Sequence, residues 1–248
     1  MANWNDPQPT KTGFGASPSL NGEVLGSGVT FDAGLRKHML AIYNYMASGV
    51  LLSGIVALLF ANSGLAAQVM ATPLRWLIIL APLGFVFGMS LGANRMSTAT
   101  LQLLFWSFCT VMGLSLSTIF LVFTASSIAS TFFATAGAFA GLSLFGYTTK
   151  KNLSGMGSFM VMGLIGILIA MVINIFMQSS ALQLAISILG VIIFAGLTAW
   201  DTQRLKQEYH VLQGTEFAGK AVVLGALTLY LDFINKFQLL LSFLGNRE

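Results

Sequence analysis

Two aspartates in the second half of the chain lie in or beside apolar stretches, where a carboxylate is costly. Asp232 is near the middle of the apolar run 225–245, and Asp201 ends another run, in "FAGLTAWDTQRLKQ". A charge at the centre of a bilayer costs roughly 2.5 to 3.5 kcal/mol on lenient insertion scales, so it usually has a partner or a function. Two carboxylates that meet in a dry site tend to share one proton and titrate as a coupled pair. Once the proton is lost, they offer two hard oxygen ligands of the kind that calcium binds.

Each aspartate also has an explanation that involves no chemistry. Lys236 is four residues after Asp232 and could neutralise it along one helix face. Asp201 is followed by Arg204 and Lys206 and could mark the point where a helix leaves lipid. The residues that share a helix face with Asp232 are Gly225, Thr228, Asn235 and Lys236. Because a polar stripe on an apolar helix should face the protein interior or water, Thr228, Asn235 and Lys236 are candidate modulators of the carboxylate.

The composition indicates an integral membrane protein whose principal partner is the lipid bilayer. Of the 248 residues, 56% are hydrophobic and only 8% are charged, and the mean hydropathy is +0.81; an ordinary soluble domain has roughly 25% charged residues. Asp, Glu, Lys and Arg are absent from four long stretches, which are 38–74, 76–94, 96–149 and 152–200. The net charge of +4 comes without a basic cluster interleaved with aromatics, so no nucleic-acid partner is predicted.

The apolar stretches predict an all-α membrane protein that is a bundle of seven transmembrane helices. A span needs about 20 apolar residues, and the predicted spans are 39–61, 76–94, 101–124, 128–148, 158–178, 181–200 and 222–244. Short turn sequences between several of them predict antiparallel neighbours. Residues 1–35 are polar and unperiodic and are predicted to form a flexible tail, which leaves 36–248 as the membrane domain.

The basic residues favour a cytoplasmic N-terminus. In that orientation the positive-inside rule is well satisfied, because only Arg75 and Arg247 fall outside. The basic residues assigned to the inside are Lys11, Arg36, Lys37, Arg95, Lys150, Lys151, Arg204, Lys206 and Lys220. A complete seventh span would leave the C-terminus outside, whereas a re-entrant segment would return it to the cytoplasm.

Two motifs near the C-terminus resemble those of a known family. The segment "LTLYLDFINKFQLLLSFLG" (227–245) closely resembles the C-terminal signature of the Bax inhibitor motif family, and "GLTAWDTQRLK" (196–206) resembles the aspartate segment that precedes it. Supporting matches are "NRMS" at 94–97, "GLSLSTIF" at 113–120 and "NIF" at 174–176. The resemblance covers about residues 36–245.

The resemblance implies a helix bundle with the last helix central, and a pH-sensitive calcium leak controlled by a hydrogen-bonded pair of aspartates. Those positions correspond to Asp201 and Asp232, which are therefore the expected gate and a weak, transient calcium site. The family's second-helix arginine, an alternative partner for the carboxylates, corresponds to Arg95. Lys236 stands where the family is commonly apolar, and a cation there should weaken calcium attraction unless it snorkels away. Calcium is the expected transported ion, and no cofactor is expected.

Two other functions are compatible with the sequence. Some bacterial members of the resembled family are associated with membrane-bound proteases, so a non-conducting regulatory partner of such membrane proteins is an alternative. An intramembrane aspartyl protease also needs two aspartates on adjacent spans, but the residues before Asp232 lack the glycine motif of presenilin-like enzymes. No enzyme is therefore predicted. The short C-terminal "GNRE" lacks the basic tail of animal members, so the bacterial inner membrane is the expected location.

Overall fold

The computed structural model describes residues 32–246, and this part of the chain is built from α-helices without a strand. The helices are α1 (Ala33–Asn62), α2 (Leu65–Met70), α3 (Leu74–Gly92), α4 (Thr98–Leu116), α5 (Ala125–Thr148), α6 (Ser154–Met177), α7 (Ser180–Leu212) and α8 (Ala218–Leu244). A 3₁₀ turn, Ser117–Leu121, continues α4. Apolar sequences of this length are expected to form helices in a membrane. A helix satisfies its own backbone hydrogen bonds, whereas lipid offers the backbone no hydrogen-bond partners.

Seven of these helices are long and apolar enough to cross a membrane, namely all except α2, with α4 counted together with its 3₁₀ turn. The predicted all-α, seven-span fold class is therefore confirmed. α8 lies at the centre of the bundle and packs against α7, α1, α5, α4 and α3. In the apolar 18-residue segment of α8, 56% of the residues are buried inside the protein, against 11% in the corresponding segments of α3 and α6. The other helices therefore shield the last helix from its surroundings.

The helix ends differ from the predicted spans in ways that matter for the aspartates. The predicted sixth span ended at 200, but α7 continues to Leu212, because the polar residues after Trp200 are good helix formers. The seventh was predicted to start at 222 and α8 starts at Ala218. The short helix α2 was not predicted. Most of the predicted tail, residues 1–31, lies outside the described residues, and α1 already begins at Ala33.

α7 is held in place beside α5 and α6 by two close approaches at glycine. A Cβ on Gly146 of α5 would overlap the carbonyl of Ala199, and one on Gly157 of α6 would overlap the ring of Trp200. One turn further along α7, the Gln203 side chain binds the loop between α5 and α6, because its Nε2 donates to the Lys151 carbonyl and its Oε1 accepts from the Leu153 amide, both at 2.8 Å. These contacts fix the stretch of α7 that carries Asp201.

Candidate functional site

Asp201 of α7 and Asp232 of α8 come together inside the bundle. Each residue is only 4% exposed, and the two carboxyl groups are close enough to interact electrostatically. A carboxylate can only accept hydrogen bonds, so a bond between two carboxyls requires that one of them carries a proton. The geometry thus suits proton sharing, and the gating role of the two residues stays a prediction.

α7 and α8 run antiparallel past this point. Gly225 of α8 faces Leu205 of α7, whereas Gly190, near the start of α7, faces Leu239, near the end of α8. The extension of α7 beyond Trp200 is what brings Asp201 alongside Asp232, which lies well inside α8. Had α7 ended at 200, Asp201 would have been a terminal residue of the helix.

The cation next to Asp201 is Arg204, one turn further along the same helix. Its Nη2 lies 3.0 Å from Asp201 Oδ1, and its Nε lies 3.3 Å from Glu208 Oε1. The guanidinium also stacks over the Trp200 ring, 4.9 Å from the ring centroid. Arg204 therefore holds the carboxylate of Asp201 from the side that leads towards the C-terminal end of α7.

The structure places the predicted arginine partner elsewhere. Arg95 is exposed on the turn that follows α3, where its amide donates to the Gly92 carbonyl at 2.9 Å. Among the described residues, the ion pair of Asp201 is made with Arg204. The three-residue spacing of Arg204 from Asp201 is a signal in the sequence that both lie on one helix face.

Lys236 lies inside the bundle one helical turn after Asp232. It is 1% exposed, its Nζ donates to Thr198 Oγ1 at 2.9 Å, and the ammonium stands 5.4 Å from the centroid of the Phe139 ring. It does not snorkel to the membrane surface. No ion pair within 4.0 Å links it to Asp232 in the described part of the chain, but the two charges still interact over a longer distance.

The other two candidate modulators bond to their own helix. Thr228 donates to the Leu224 carbonyl at 3.1 Å, and the Asn235 amide donates to the Leu231 carbonyl at 2.8 Å. Such bonds to the carbonyl four residues earlier satisfy a side chain locally in an apolar setting. Of the polar face predicted for α8, Lys236 is therefore the modulator that reaches another helix.

A line of hydroxyl groups beside Asp201 was not anticipated from the sequence. The Tyr43 hydroxyl of α1 bonds to Ser143 Oγ of α5, and Ser143 Oγ bonds to Thr202 Oγ1 of α7 at 2.9 Å. Thr202 then donates to the carbonyl of Thr198 at 2.8 Å. Single Ser and Thr residues in apolar helices carry little signal, because packing residues of the same types are common there. These hydrogen bonds connect α1, α5 and α7 close to Asp201.

Metal binding at this site would rest on two carboxylates. No group of three or more His, Cys, Asp or Glu residues that could hold a metal ion occurs within residues 32–246. Calcium takes six to eight oxygen ligands, so an ion held by Asp201 and Asp232 would keep most of its ligands from water or backbone. Both residues are 4% exposed, so an ion at this site would have little contact with bulk solvent.

Comparison with known proteins identifies the family. A family model described as "Inhibitor of apoptosis-promoting Bax1" matches residues 35–248, which include all eight helices except the first two residues of α1. The chain belongs to this Bax inhibitor family. The resemblance predicted from the two C-terminal motifs is thus confirmed, and the matched region begins close to the predicted start at residue 36.

Relatives in several bacteria share most of the length of this Bax inhibitor family member. An uncharacterized protein of Caulobacter vibrioides is 46% identical over 235 residues, which are 89% of this chain and 93% of the relative. The inner membrane protein YbhL of Escherichia coli K12 is 46% identical over 220 residues, 87% of this chain and 94% of its own length. The protein RP147 of Rickettsia prowazekii is 45% identical over 220 residues, 88% of this chain and 93% of its own.

Proposed function

We propose that this Bax inhibitor family protein is a pH-sensitive calcium leak in the bacterial inner membrane, gated by Asp201 and Asp232. The observation that carries the proposal is the meeting of two buried carboxyl groups on the central helix α8 and on its neighbour α7. Seven apolar helices and the similarity to an inner membrane protein of Escherichia coli support the location.

The shared proton is the latch in this mechanism. While one proton is held between the carboxyls, a single negative charge remains, and Arg204 lies 3.0 Å away to balance it. When the proton leaves, two negative charges in a dry site repel each other, and the repulsion is strong because the interior screens charge poorly. Proton loss then either parts α7 and α8 and opens a path, or lets calcium bind tightly enough to block it.

Calcium suits this site as a passing ion. Carboxylate oxygens are the hard ligands that calcium prefers, but two of them leave most of its coordination to water. A site with so few protein ligands binds weakly and releases quickly, which favours conduction over storage.

To test the proposal, the purified protein is reconstituted in liposomes loaded with a calcium-sensitive dye, and calcium flux across the liposome membrane is measured. We expect flux above that of protein-free liposomes, with a size that changes as the pH is scanned through the titration of the carboxyls. The direction of the change distinguishes an opening latch from a calcium block. Flux equal to that of protein-free liposomes at every pH would overturn the proposal and favour the regulatory alternative.

A further inference from the structure

Lys236 is a buried ammonium whose hydrogen bonding is incomplete. An ammonium has three donors, and within residues 32–246 Nζ has one hydrogen-bond acceptor, Thr198 Oγ1, besides the face of the Phe139 ring. The residue is 1% exposed. Burying a charge in an apolar bundle is costly unless it is paired, so the position of Lys236 beside the aspartate pair needs a reason.

The two carboxyls are bracketed by two cations of the same chain. Arg204 follows Asp201 by three residues on α7, and Lys236 follows Asp232 by four residues on α8. Because the two helices are antiparallel, one cation stands on each side of the pair along the bundle. Helix α5 contributes Phe139 and Ser143 here, and α1 contributes the Tyr43 hydroxyl, so the charged group that interacts with Lys236 directly is Asp232.

The ammonium has two positions within reach. One is the observed position on Thr198. The other is the carboxyl of Asp232, since a lysine four residues after an acid on a helix can contact it. The Oδ2 atom of Asp232 is buried and has no hydrogen-bond partner among the described residues, so the second position offers an open acceptor. The lysine stem has four flexible carbons, so the exchange would need only rotation of the side chain.

We infer that Lys236 is a tethered cation that competes with calcium for Asp232 and thereby sets the calcium concentration to which the site responds. The inference rests on the proposed function and adds its specificity determinant. Either the ammonium or a calcium ion takes the open oxygen of Asp232, and an entering calcium must displace the ammonium.

Four variants separate charge from packing. Lys236→Met keeps the length and removes the charge; Lys236→Arg keeps the charge. Thr198→Val keeps the shape and removes the acceptor that draws the ammonium away from Asp232. The matched control is Lys220→Met on the same helix, because Lys220 also donates to one oxygen, the Ala93 carbonyl at 3.2 Å, and stands over one ring, Phe217 at 5.6 Å, but far from the pair.

Two quantities are measured for each variant. The first is the calcium concentration that gives half-maximal flux in liposomes, recorded separately from the maximal flux. The second is the calcium-induced rise in the unfolding temperature of the protein in detergent, which reports binding without conduction. We expect Lys236→Met to lower the half-maximal concentration by at least about tenfold, because one unit charge this close to a divalent ion at an effective dielectric constant of about 20 changes binding by more than that factor.

The other variants fix the sign of the effect. The half-maximal calcium concentration of Lys236→Arg should stay near that of the wild type, and that of Lys220→Met should equal it. Thr198→Val should raise this concentration, because the ammonium then spends more time on Asp232. Equal half-maximal concentrations in Lys236→Met and Lys220→Met would overturn the inference while leaving the leak intact. A change in maximal flux alone would also overturn it, since that is the effect of altered packing.

Failure of the leak itself has a different signature. If the wild type passes no calcium but calcium stabilises Lys236→Met more than the wild type, the proposed function fails and the competition stands. If calcium neither crosses nor stabilises any variant, both are overturned.

Discussion

Asp232 and Asp201 are equally buried but differ in their surroundings. Both are 4% exposed; Asp201 has Arg204 at 3.0 Å, whereas Asp232 Oδ2 has no hydrogen-bond partner in residues 32–246. A buried carboxyl oxygen without a partner is costly unless the group is neutral or takes a ligand. The open oxygen of Asp232 is therefore where a proton or a cation has most to gain.

We expect Asp232→Asn to abolish the pH dependence of calcium flux in liposomes, because the amide keeps the shape of the side chain but cannot titrate. Asp201→Asn should have a smaller effect, since Arg204 already balances the charge at that position. Flux is measured across pH for both variants and the wild type. If Asp232→Asn leaks calcium with the wild-type pH profile, Asp232 is a structural residue.

The sequence identifies the aspartates but not their surroundings. A carboxylate in an apolar run stands out because placing its charge in a membrane costs free energy. The sequence alone therefore indicates Asp201 and Asp232 as candidate site residues. Helical periodicity assigns Lys236 to the face of Asp232, but it does not reveal Thr198 on the facing helix. The family resemblance indicates Arg95 as an alternative partner, but a family correspondence carries no information on which side chains are within reach.

Among the helices, α7 depends most on close contact with its neighbours. At Gly146 the backbone of α5 touches that of α7 at Ala199, two residues from Asp201. Three residues earlier on α5, Ser143 makes its bond to Thr202. Small residues let helices approach closely in lipid, and here one such approach sets the position of the stretch that carries the carboxylate.

We expect Gly146→Ala to lower the unfolding temperature in detergent, because the added methyl group overlaps the Ala199 carbonyl and overpacking typically costs about 1–3 kcal/mol. The control is Gly137→Ala on the same helix, where a Cβ would have no atom within 4 Å; it should leave stability unchanged or slightly higher. Equal unfolding temperatures for the two variants would show that α5 and α7 can separate at no cost.

Hydropathy located the membrane helices well and their ends poorly. The predicted spans 76–94 and 128–148 lie close to α3 and α5, because lipid contact selects apolar residues along the whole crossing. Lipid contact does not constrain residues beyond the membrane. Hydropathy therefore does not predict the polar continuation of α7 to Leu212 or the early start of α8 at Ala218. The extension of α7 is what brings Asp201 alongside Asp232.

For the whole molecule, the distribution of basic residues favours one orientation of the chain in the membrane. If all seven candidate helices cross the membrane, the two ends of the chain lie on opposite sides of it. Only Arg75 and Arg247 fall outside when the N-terminus is cytoplasmic, which the positive-inside rule favours. The pair then lies towards the cytoplasmic side, where α7 extends beyond the apolar part of the bundle.

We expect reporter fusions after Leu153 and after Glu248 to report opposite sides, the first cytoplasmic and the second external. The reason is that the loop between α5 and α6 follows the fourth crossing, whereas the last residue follows the seventh. A fusion after Asn62, which follows the first crossing, serves as the external control. Two cytoplasmic signals, from Leu153 and Glu248, would mean that α8 is re-entrant.

The length of α7 before Asp201 also decides what membrane voltage does to the site. Ser180 and Asp201 are separated by about 32 Å at 1.5 Å per residue, about the full thickness of the hydrocarbon. With the N-terminus in the cytoplasm, a calcium ion from outside would cross most of the electric field before it met the two aspartates, whereas a proton from the cytoplasm would cross little. Because the field is worth about 2.3 kcal/mol per charge per 100 mV, a negative interior should raise calcium flux steeply. The cytoplasmic pH at which that flux is half-maximal should not move, and dye-loaded liposomes held at set potassium diffusion potentials would measure both.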